Sequence, residues 1–261
     1  MTYIEKMYLI ETGRIIVPDS DPFAKYHTET FKYSIPVPAV LVKHREKGLI
    51  LFDTGIEPKH FSESQVSRLI YDEEKRIDHQ LENIGYKAGD VKHVILSHWH
   101  RDHHNQLFLF QNATVYIRER EIVGLYSEPL AGYSPDEKQA FERYKKECPN
   151  AIIKRLPDVE EYDLFGDNSI TLLDTKGHTP GHQSLMVTLK NNGTWIFSAD
   201  AIHNEWHQKD HNNIQNTWDR TEHINSIKHL EQYKKTFDAN LIFGHDVDQW
   251  KQLKLLPEYY D

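Results

Sequence analysis

His98-Trp99-His100-Arg101-Asp102-His103 places four potential metal ligands within six residues, directly after Val94-Ile95-Leu96-Ser97. The apolar run Val94-Ile95-Leu96 is typical of a buried β-strand. Imidazoles two residues apart share one face of an extended segment, whereas a helix would turn them about 200° apart. We therefore predict that the cluster lies in a loop at the C-terminal end of a strand.

The donors of this cluster are nitrogen and oxygen atoms without a thiolate. Such a set favours zinc or another divalent ion such as manganese, iron or cobalt. A catalytic zinc usually keeps three protein ligands and one open position, so four adjacent ligands exceed the need of a single ion. The cluster therefore predicts two metal ions. The alternative is a histidine-rich surface turn, because the chain contains 17 His.

Composition limits the class of protein. The chain of 261 residues carries 31 Lys and Arg against 40 Asp and Glu, and this net charge of −9 argues against a nucleic-acid-binding or anionic-membrane surface. Its single cysteine, Cys148, cannot form an intramolecular disulfide and is consistent with a reducing compartment. No export signal or membrane span is evident. We expect a cytoplasmic monomer or homodimer that acts on a small molecule.

Strand and helix signals alternate along the chain, and no Pro/Gly/Ser-rich linker divides it, so we predict one domain over residues 1–261. Helices are indicated by apolar positions between Asp72 and Tyr86 and by the capping pattern from Ser134 to a helix ending near Glu147. A third helix is predicted from about Arg220 to Phe237, with Ile224, Ile227, Leu230 and Phe237 facing inward. Predicted strands are Met7–Ile10, Arg14–Val17, Ala39–Val42, Leu49–Phe52, Ile152–Leu156, Ile170–Leu173, Leu185–Leu189, Trp195–Ser198 and Leu241–Phe243.

The remaining candidate ligands also follow predicted strands. His178 follows the strand ending at Leu173, Asp200 follows the one ending at Ser198, and His245 follows the last strand. Ligand sites of open α/β sheets lie at the C-terminal ends of strands. We therefore predict that these three side chains and the histidine-rich cluster meet at one end of the fold.

The sequence His98-x-His100-x-Asp102-His103, followed by His178, Asp200 and His245, resembles the metallo-β-lactamase superfamily of dinuclear hydrolases. The resemblance implies an αβ/βα sandwich, in which two mixed sheets lie between helical layers. Within the superfamily the chain is most similar to N-acyl homoserine lactonases, through Ile35–Pro38, Leu51–Gly55, Gly177–Leu185 and Gly244-His245-Asp246.

The resemblance implies a role for each of these positions. One ion would be held by His98, His100 and His178, and the other by Asp102, His103 and His245. The carboxylate of Asp200 would bridge the two ions. His182 is expected beside the ligands, although its assignment as a ligand in place of His178 stays open. Asp53 is expected to fix the orientation of a metal ligand without binding the metal itself. A turn-forming role for Asp53 is compatible with this orienting role.

Two positions depart from the lactonase pattern. Where the lactonases carry tyrosine, three residues after the bridging aspartate, this chain has His203, and Arg101 replaces a hydrophobic residue. His203 could orient the substrate carbonyl or protonate the leaving oxygen, or could be a solvated loop histidine near His207 and His211. Arg101 could contact a substrate amide or carboxylate, or pair with a nearby acid. The segment Asp19–Phe31 could cover the pocket or form an ordinary surface loop.

These features predict a dinuclear metal-dependent hydrolase. A hydroxide that bridges the two ions would attack the ester carbonyl of a lactone, with Asp102 and His203 as candidates for proton transfer. N-acyl homoserine lactones are the substrates that the resemblance implies, and their hydrolysis would quench bacterial signalling. The alternatives are a thioesterase or phosphodiesterase of the same superfamily, and a non-catalytic metal-binding protein.

Overall fold

A computed structural model describes residues 2–17, 33–59, 61–211, 214 and 216–261. Its first sheet is built from β1 (Ile4–Ile16), β2 (Ser34–His44), β3 (Gly48–Phe52), β4 (Leu69–Ile70), β5 (Val91–Ile95), β6 (Thr114–Arg118) and β7 (Ile152–Leu156). Within this part of the chain the strand order is β4-β1-β2-β3-β5-β6-β7. The pairs β1–β2, β1–β4 and β2–β3 are antiparallel, whereas β3–β5, β5–β6 and β6–β7 are parallel, so the sheet is mixed.

The second sheet is built from β8 (Glu161–Asp163), β9 (Ile170–Asp174), β10 (Gln183–Leu189), β11 (Gly193–Phe197) and β12 (Asn240–Ile242). Its strand order is β12-β11-β10-β9-β8. β11 and β12 are parallel and the other pairs are antiparallel, so this sheet is also mixed. The helices are α1 (Glu63–Val66), α2 (Ile77–Glu82), α3 (Arg101–His104), α4 (Glu119–Leu125), α5 (Pro135–Glu147), α6 (Glu205–Lys209), α7 (Arg220–Thr236) and α8 (Val247–Trp250).

Three buried apolar clusters define the layers. One cluster fills the space between the sheets, with Ile50 and Ile95 from the first sheet and Leu185 and Phe197 from the second. A second cluster packs α2, α4 and α5 on the outer face of the first sheet, and a third packs α7 on the second sheet. This arrangement confirms the predicted sandwich of two mixed sheets between helical layers. No helix in the described ranges combines the length and apolarity needed to cross a membrane.

The N-terminal strand differs from the prediction. The runs Met7–Ile10 and Arg14–Val17 were expected as two strands, but Ile4–Ile16 is a single strand that pairs with β2 along its length. A shift in register between Glu11 and Gly13, where Gly13 has φ 154°, marks a bulge. A bulge bends a strand without ending it, so the local turn signal did not separate two strands.

Helix α5 has the predicted start, because Ser134 caps it in a capping box with Glu137 and Pro135 occupies the first turn. Helix α7 begins at Arg220 as predicted and buries Ile227 and Leu230. The prediction that Phe237 points inward is wrong, since the helix ends at Thr236 and the Phe237 side chain is 44% exposed. Beyond the helix end, the 3.6-residue period no longer fixes the direction of a side chain.

Strand β6 was not predicted. Its sequence Thr114-Val115-Tyr116-Ile117-Arg118 is rich in β-branched and aromatic residues, so the signal was present in the chain. β6 extends the parallel part of the first sheet beyond β5. The connection that follows it supplies α4, which carries a residue that supports the site.

Candidate metal centre

The structure brings together all seven predicted metal ligands. They follow four different strands: the cluster at 98–103 follows β5, His178 follows β9, Asp200 follows β11 and His245 follows β12. Their donor atoms form two groups in which the atoms lie within 4.8 Å of one another, namely His98, His100, His178 and Asp200, and Asp102, His103 and His245. The topology therefore converges distant parts of the sequence on one end of the sandwich, as predicted.

The local structure of the histidine-rich cluster differs in part from the prediction of a loop. His98 and His100 lie outside helices and strands, but Arg101–His104 forms one helical turn with the extended residue His100 as its N-cap. Asp102 and His103 lie in this turn and belong to the second group of donors. His104, the last residue of the turn, stacks on Trp99 at 4.1 Å and is buried.

Three imidazoles converge in the first group. The Nδ1 atom of His100 lies 2.9 Å from Nε2 of His98 and 2.9 Å from Nε2 of His178. The Nε2–H of His100 donates to the carbonyl of Gly132 at 3.2 Å, which leaves a lone pair on its Nδ1. The Oγ–H of Ser97 donates to Asp53, so Ser97 can only accept from Nδ1 of His98, at 2.9 Å. Lone pairs of His98 and His100 therefore face each other.

In the second group, a histidine lone pair likewise faces another potential metal-binding atom. Nδ1–H of His245 donates to the carbonyl of Pro36 at 2.8 Å, and its Nε2 faces Oδ1 of Asp200 at 3.0 Å. Nε2 of His103 lies 3.1 Å from the same oxygen, while its Nδ1 lies 2.8 Å from Asp53. Oδ2 of Asp102 lies 3.6 Å from His103 Nε2 and 3.7 Å from His245 Nε2.

Asp200 belongs to the first group and also faces the second. Its Oδ1 faces His103 and His245, and its Oδ2 lies 3.3 Å from Nε2 of His178 and 3.9 Å from Nε2 of His98. Burial alone would raise the pKa of Asp200, but the surrounding histidines hold it well below the usual value. An ionised carboxylate with one oxygen toward each group fits a bridging ligand.

The directions in which the histidine pKa values shift indicate where the site favours positive charge. Burial lowers the pKa of His98 and His178 well below the usual value, which leaves neutral imidazoles with a free lone pair. At His103 and His245 burial acts in the same direction, but Asp200 and other carboxylates raise the pKa above the usual value. Neutral imidazoles whose lone pairs face one another, beside carboxylates that attract positive charge, form the kind of donor set that binds a divalent cation. The two groups of residues therefore fit two metal ions.

Asp53 lies behind the second group. It accepts from the backbone amide and the hydroxyl of Ser97 at 2.7 and 2.8 Å, in addition to its contact with His103. A carboxylate in this position fixes the ring orientation of a ligating histidine. Asp53 also adopts φ 59°, so it has the turn conformation as well as the orienting contact.

His182 supports Asp200 and does not face either group of donors. Its Nε2 accepts the backbone N–H of Asp200 at 3.1 Å, and its Nδ1 lies 2.8 Å from Oγ1 of Thr175. Both ring nitrogens are therefore engaged by groups other than the donor set. The geometry agrees with His178 as the ligand of this segment and gives His182 a positioning role.

Glu121 on α4 holds both histidine-bearing segments, and sequence reasoning missed it. Its fully buried carboxylate accepts from the amide of Trp99 at 2.7 Å, from the hydroxyl of Thr179 at 2.8 Å and from the amide of Gly181 at 2.9 Å. Trp99 separates His98 from His100, and Thr179 follows His178. A glutamate in a short helix carries no sequence signal for such a role, because most helical glutamates are exposed.

A cavity of about 590 Å³ opens above the two groups of donors. His203 lines it and is buried, so it is not a solvated loop histidine. Its Nε2 lies 3.1 Å from Oδ2 of Asp200, and its Nδ1 lies 3.0 Å from Nδ1 of His207. His203 thus stands at the boundary between the donor set and the substrate space.

Arg101 lines the same cavity from α3. It donates to Asp136 at 3.1 Å and to Gln65 at 3.3 Å. Arg101 therefore lines the pocket, where it could contact a substrate, and also pairs with a nearby acid. The segment Asp19–Phe31, expected either to cover the pocket or to form a surface loop, lies outside the described residues.

Comparisons with known proteins agree with this geometry. Residues 35–251 match the model of a family described as the metallo-beta-lactamase superfamily. An N-acyl homoserine lactonase of Bacillus cereus is 30% identical over 268 residues, covering 98% of this chain and 99% of its own. The N-acyl homoserine lactonase AttM of Rhizobium radiobacter is 29% identical over 242 residues, covering 87% and 88%.

Solved structures give the same match in three dimensions. An N-acyl homoserine lactone hydrolase with the product N-hexanoyl-L-homoserine bound at its catalytic metal center superimposes with a TM-score of 0.77. It is 26% identical in sequence, and the match covers 100% of both chains. The fold and the similarity therefore extend together over the whole length of the chain.

Proposed function

This chain belongs to the metallo-beta-lactamase superfamily, and on that basis we propose that it is a metal-dependent lactonase that hydrolyses N-acyl homoserine lactones. The central observation is that the two carboxylate oxygens of Asp200 each face a separate group of metal-type donors. Similarity to lactonases of two genera over most of the chain supports the choice of substrate. Opening of the lactone ring would inactivate bacterial signal molecules.

We propose that one ion is held by His98, His100 and His178, the other by Asp102, His103 and His245, and that Asp200 is shared. When bound, such ions lower the pKa of water and polarise a carbonyl oxygen, which is the chemistry they would supply here. The chain prepares their ligands. Asp53, the carbonyl of Pro36 and the carbonyl of Gly132 fix the orientations of His103, His245 and His100.

The leaving group of lactone hydrolysis is the ring alkoxide oxygen, which must receive a proton when the ester C–O bond breaks. His203 borders the cavity, and its Nε2 is hydrogen-bonded to Asp200. It can bind the substrate carbonyl or deliver that proton. Asp102 also lines the cavity and is the second candidate for proton transfer.

We further propose zinc as the ion, because nitrogen and oxygen donors without thiolate suit it. Manganese, iron or cobalt would fit the same donors. In our proposal the enzyme acts in the cytoplasm as a single-domain monomer or homodimer. Metal analysis of protein purified without chelator tests the identity of the ion, and the mass of the protein in solution tests its oligomeric state.

The test of function is a pH-indicator assay of the metal-loaded protein with four substrate types: N-hexanoyl homoserine lactone, γ-butyrolactone, an acyl thioester and bis-p-nitrophenyl phosphate. We expect ring opening of the homoserine lactone with the highest kcat/KM. Turnover of the phosphodiester or the thioester with an inert lactone would contradict the proposed substrate class. Inactivity toward all four substrates, with two metals bound per chain, would contradict an esterase function.

A further inference from the structure

His203 is held at both ends of its backbone. Its carbonyl accepts the amide N–H of His245 at 2.8 Å, and its own amide N–H donates to Nδ1 of His207 at 3.1 Å. His207 lies in α6, and its amide in turn donates to the side chain of Asn204, the residue that caps this helix. The histidine that borders the cavity is therefore fixed between a member of the donor set and the first turn of α6.

The amide contact identifies which ring nitrogen of His207 is an acceptor. A backbone N–H can only donate, so Nδ1 of His207 must present a lone pair, and the neutral ring carries its proton on Nε2. Burial lowers the pKa of His207 to about 2, and the neighbouring His203 and His223 act in the same direction. The ring of His207 is therefore a neutral acceptor at neutral pH.

The same lone pair determines where the ring of His203 is protonated. Nδ1 of His203 lies 3.0 Å from Nδ1 of His207. Since His207 offers a lone pair at this atom, the hydrogen bond between the two rings requires a proton on Nδ1 of His203. The other ring nitrogen, Nε2, lies 3.1 Å from Oδ2 of Asp200, at the edge of the cavity. Nε2 is thus the nitrogen that His203 presents to a substrate.

Stacked rings support this arrangement. The rings of His203 and His207 have centroids 4.8 Å apart and planes that differ by 21°. The ring of His203 also stacks with that of His245, at 5.7 Å and 18°. The edge of His223 meets the His207 ring at 5.2 Å, and all four side chains are buried. Close packing of this kind limits the movement of the His203 ring.

We propose that His207 is a positioning residue, which keeps a proton on Nδ1 of His203 and leaves Nε2 facing the substrate. This inference rests on the proposed lactonase function, in which His203 binds the carbonyl or protonates the leaving oxygen. Either role is carried out at one ring nitrogen, and the hydrogen bond of the other nitrogen determines which one it is. The essential property of His207 is therefore its acceptor atom and not the volume of its ring.

Nitrogen NMR of the zinc-loaded protein, with isotope-labelled histidine, tests the hydrogen bond between the rings. The signals of His203 are those that disappear from the spectrum of His203→Phe. We expect Nδ1 of His203 to carry a proton in the wild-type protein. A wild-type spectrum in which this atom carries no proton would overturn the proposal, and the measurement needs neither a substrate nor a change at His207.

Two substitutions separate the acceptor from the ring. His207→Asn removes the ring but keeps an acceptor, because Oδ1 of asparagine is as many bonds from the backbone as Nδ1 of histidine. His207→Phe keeps a ring for stacking but has no acceptor. We expect His207→Phe to lower kcat for N-hexanoyl homoserine lactone about tenfold with KM unchanged, and to abolish the preference for a proton on Nδ1 of His203. His207→Asn should retain most of both properties.

A purely structural role for His207 predicts the opposite order, because phenylalanine fills the buried space better than asparagine does. A lower kcat in His207→Asn than in His207→Phe would therefore overturn the positioning role, as would a wild-type kcat in His207→Phe. His229→Asn and His229→Phe are the matched controls, since His229 pairs with Glu160 on the surface and is 45% exposed. Both should behave as the wild-type protein does.

The measurements distinguish this proposal from the proposed function. If the wild-type protein does not hydrolyse the lactone, the lactonase function is wrong, and NMR still decides whether His207 fixes the proton on His203. If the lactone is hydrolysed but Nδ1 of His203 carries no proton, the role of His207 is wrong while the lactonase function stands.

Discussion

The amide of Gly181 donates to the Glu121 carboxylate at 2.9 Å, and the two residues lie so close that a β-carbon at position 181 would overlap the backbone of Glu121. This contact joins α4 to the segment that contains His178. Since the same carboxylate holds Trp99, one buried group sets the distance between two parts of the metal centre.

Gly181→Ala should displace this segment from α4. The overlap involves backbone atoms, which cannot rotate away as a flexible side chain can. We expect loss of stability of about 1–3 kcal/mol, as for overpacking in a core, and fewer than two metals per chain. Denaturant unfolding and metal analysis measure both effects. Gly89→Ala is the control, because no atom lies within 4 Å of its added β-carbon, and it should behave as the wild-type protein does.

Glu121→Gln replaces one carboxylate oxygen with an amino group. The carboxylate accepts from donors on both oxygens, so one donor in the variant would face another donor. We expect destabilisation of about 1–3 kcal/mol and weaker metal binding, measured by unfolding and by competition with a chelator. Glu119→Gln, at an exposed position of the same helix, is the control. Equal metal affinity in the two variants would contradict the positioning role of Glu121.

His203→Phe should lower kcat for lactone hydrolysis by about 10²-fold while two metals remain bound. The reason is that His203 contacts Asp200 and the cavity but is outside the two groups of donors. His203→Tyr, which keeps a polar group at this position, should retain more activity than the phenylalanine variant. An unchanged rate in His203→Phe would exclude the residue from the chemistry.

His223 predicts acid sensitivity. It lies in the first turns of α7 and is fully buried, with its ring nitrogens near Thr217 and the carbonyl of Ala201, and burial lowers its pKa to about 4. Between its unfolded pKa of about 6.5 and this folded value, the unfolded chain binds the extra proton. The stability that a neutral His223 contributes is therefore complete above about pH 6.5 and is lost as the pH falls toward 4.

Replacement of His223 by glutamine tests this directly. The free energy of unfolding of the wild type minus that of His223→Gln should decrease from pH 7 to pH 4 by up to about 1.4 kcal/mol per pH unit. A difference that does not vary with pH would show that His223 does not titrate as described.

The metal centre could be predicted from the sequence because its chemistry is local. Four of the seven donors stand within six residues, and His178, Asp200 and His245 each follow a recognisable strand. Hydrophobic periodicity fixes strand ends, and strand ends of an α/β fold converge. The residues that orient the donors, Glu121 and the carbonyl of Pro36, could not be predicted, because their partners are distant in sequence.

The sequence by itself determined the sandwich, the two groups of donors and the superfamily. Only the tertiary structure decided that Asp200 turns one oxygen toward each group, that His182 supports Asp200, and that Phe237 is exposed. The physical reason is that residue type and spacing fix which groups are available, whereas the direction of each side chain depends on packing between segments far apart in the chain.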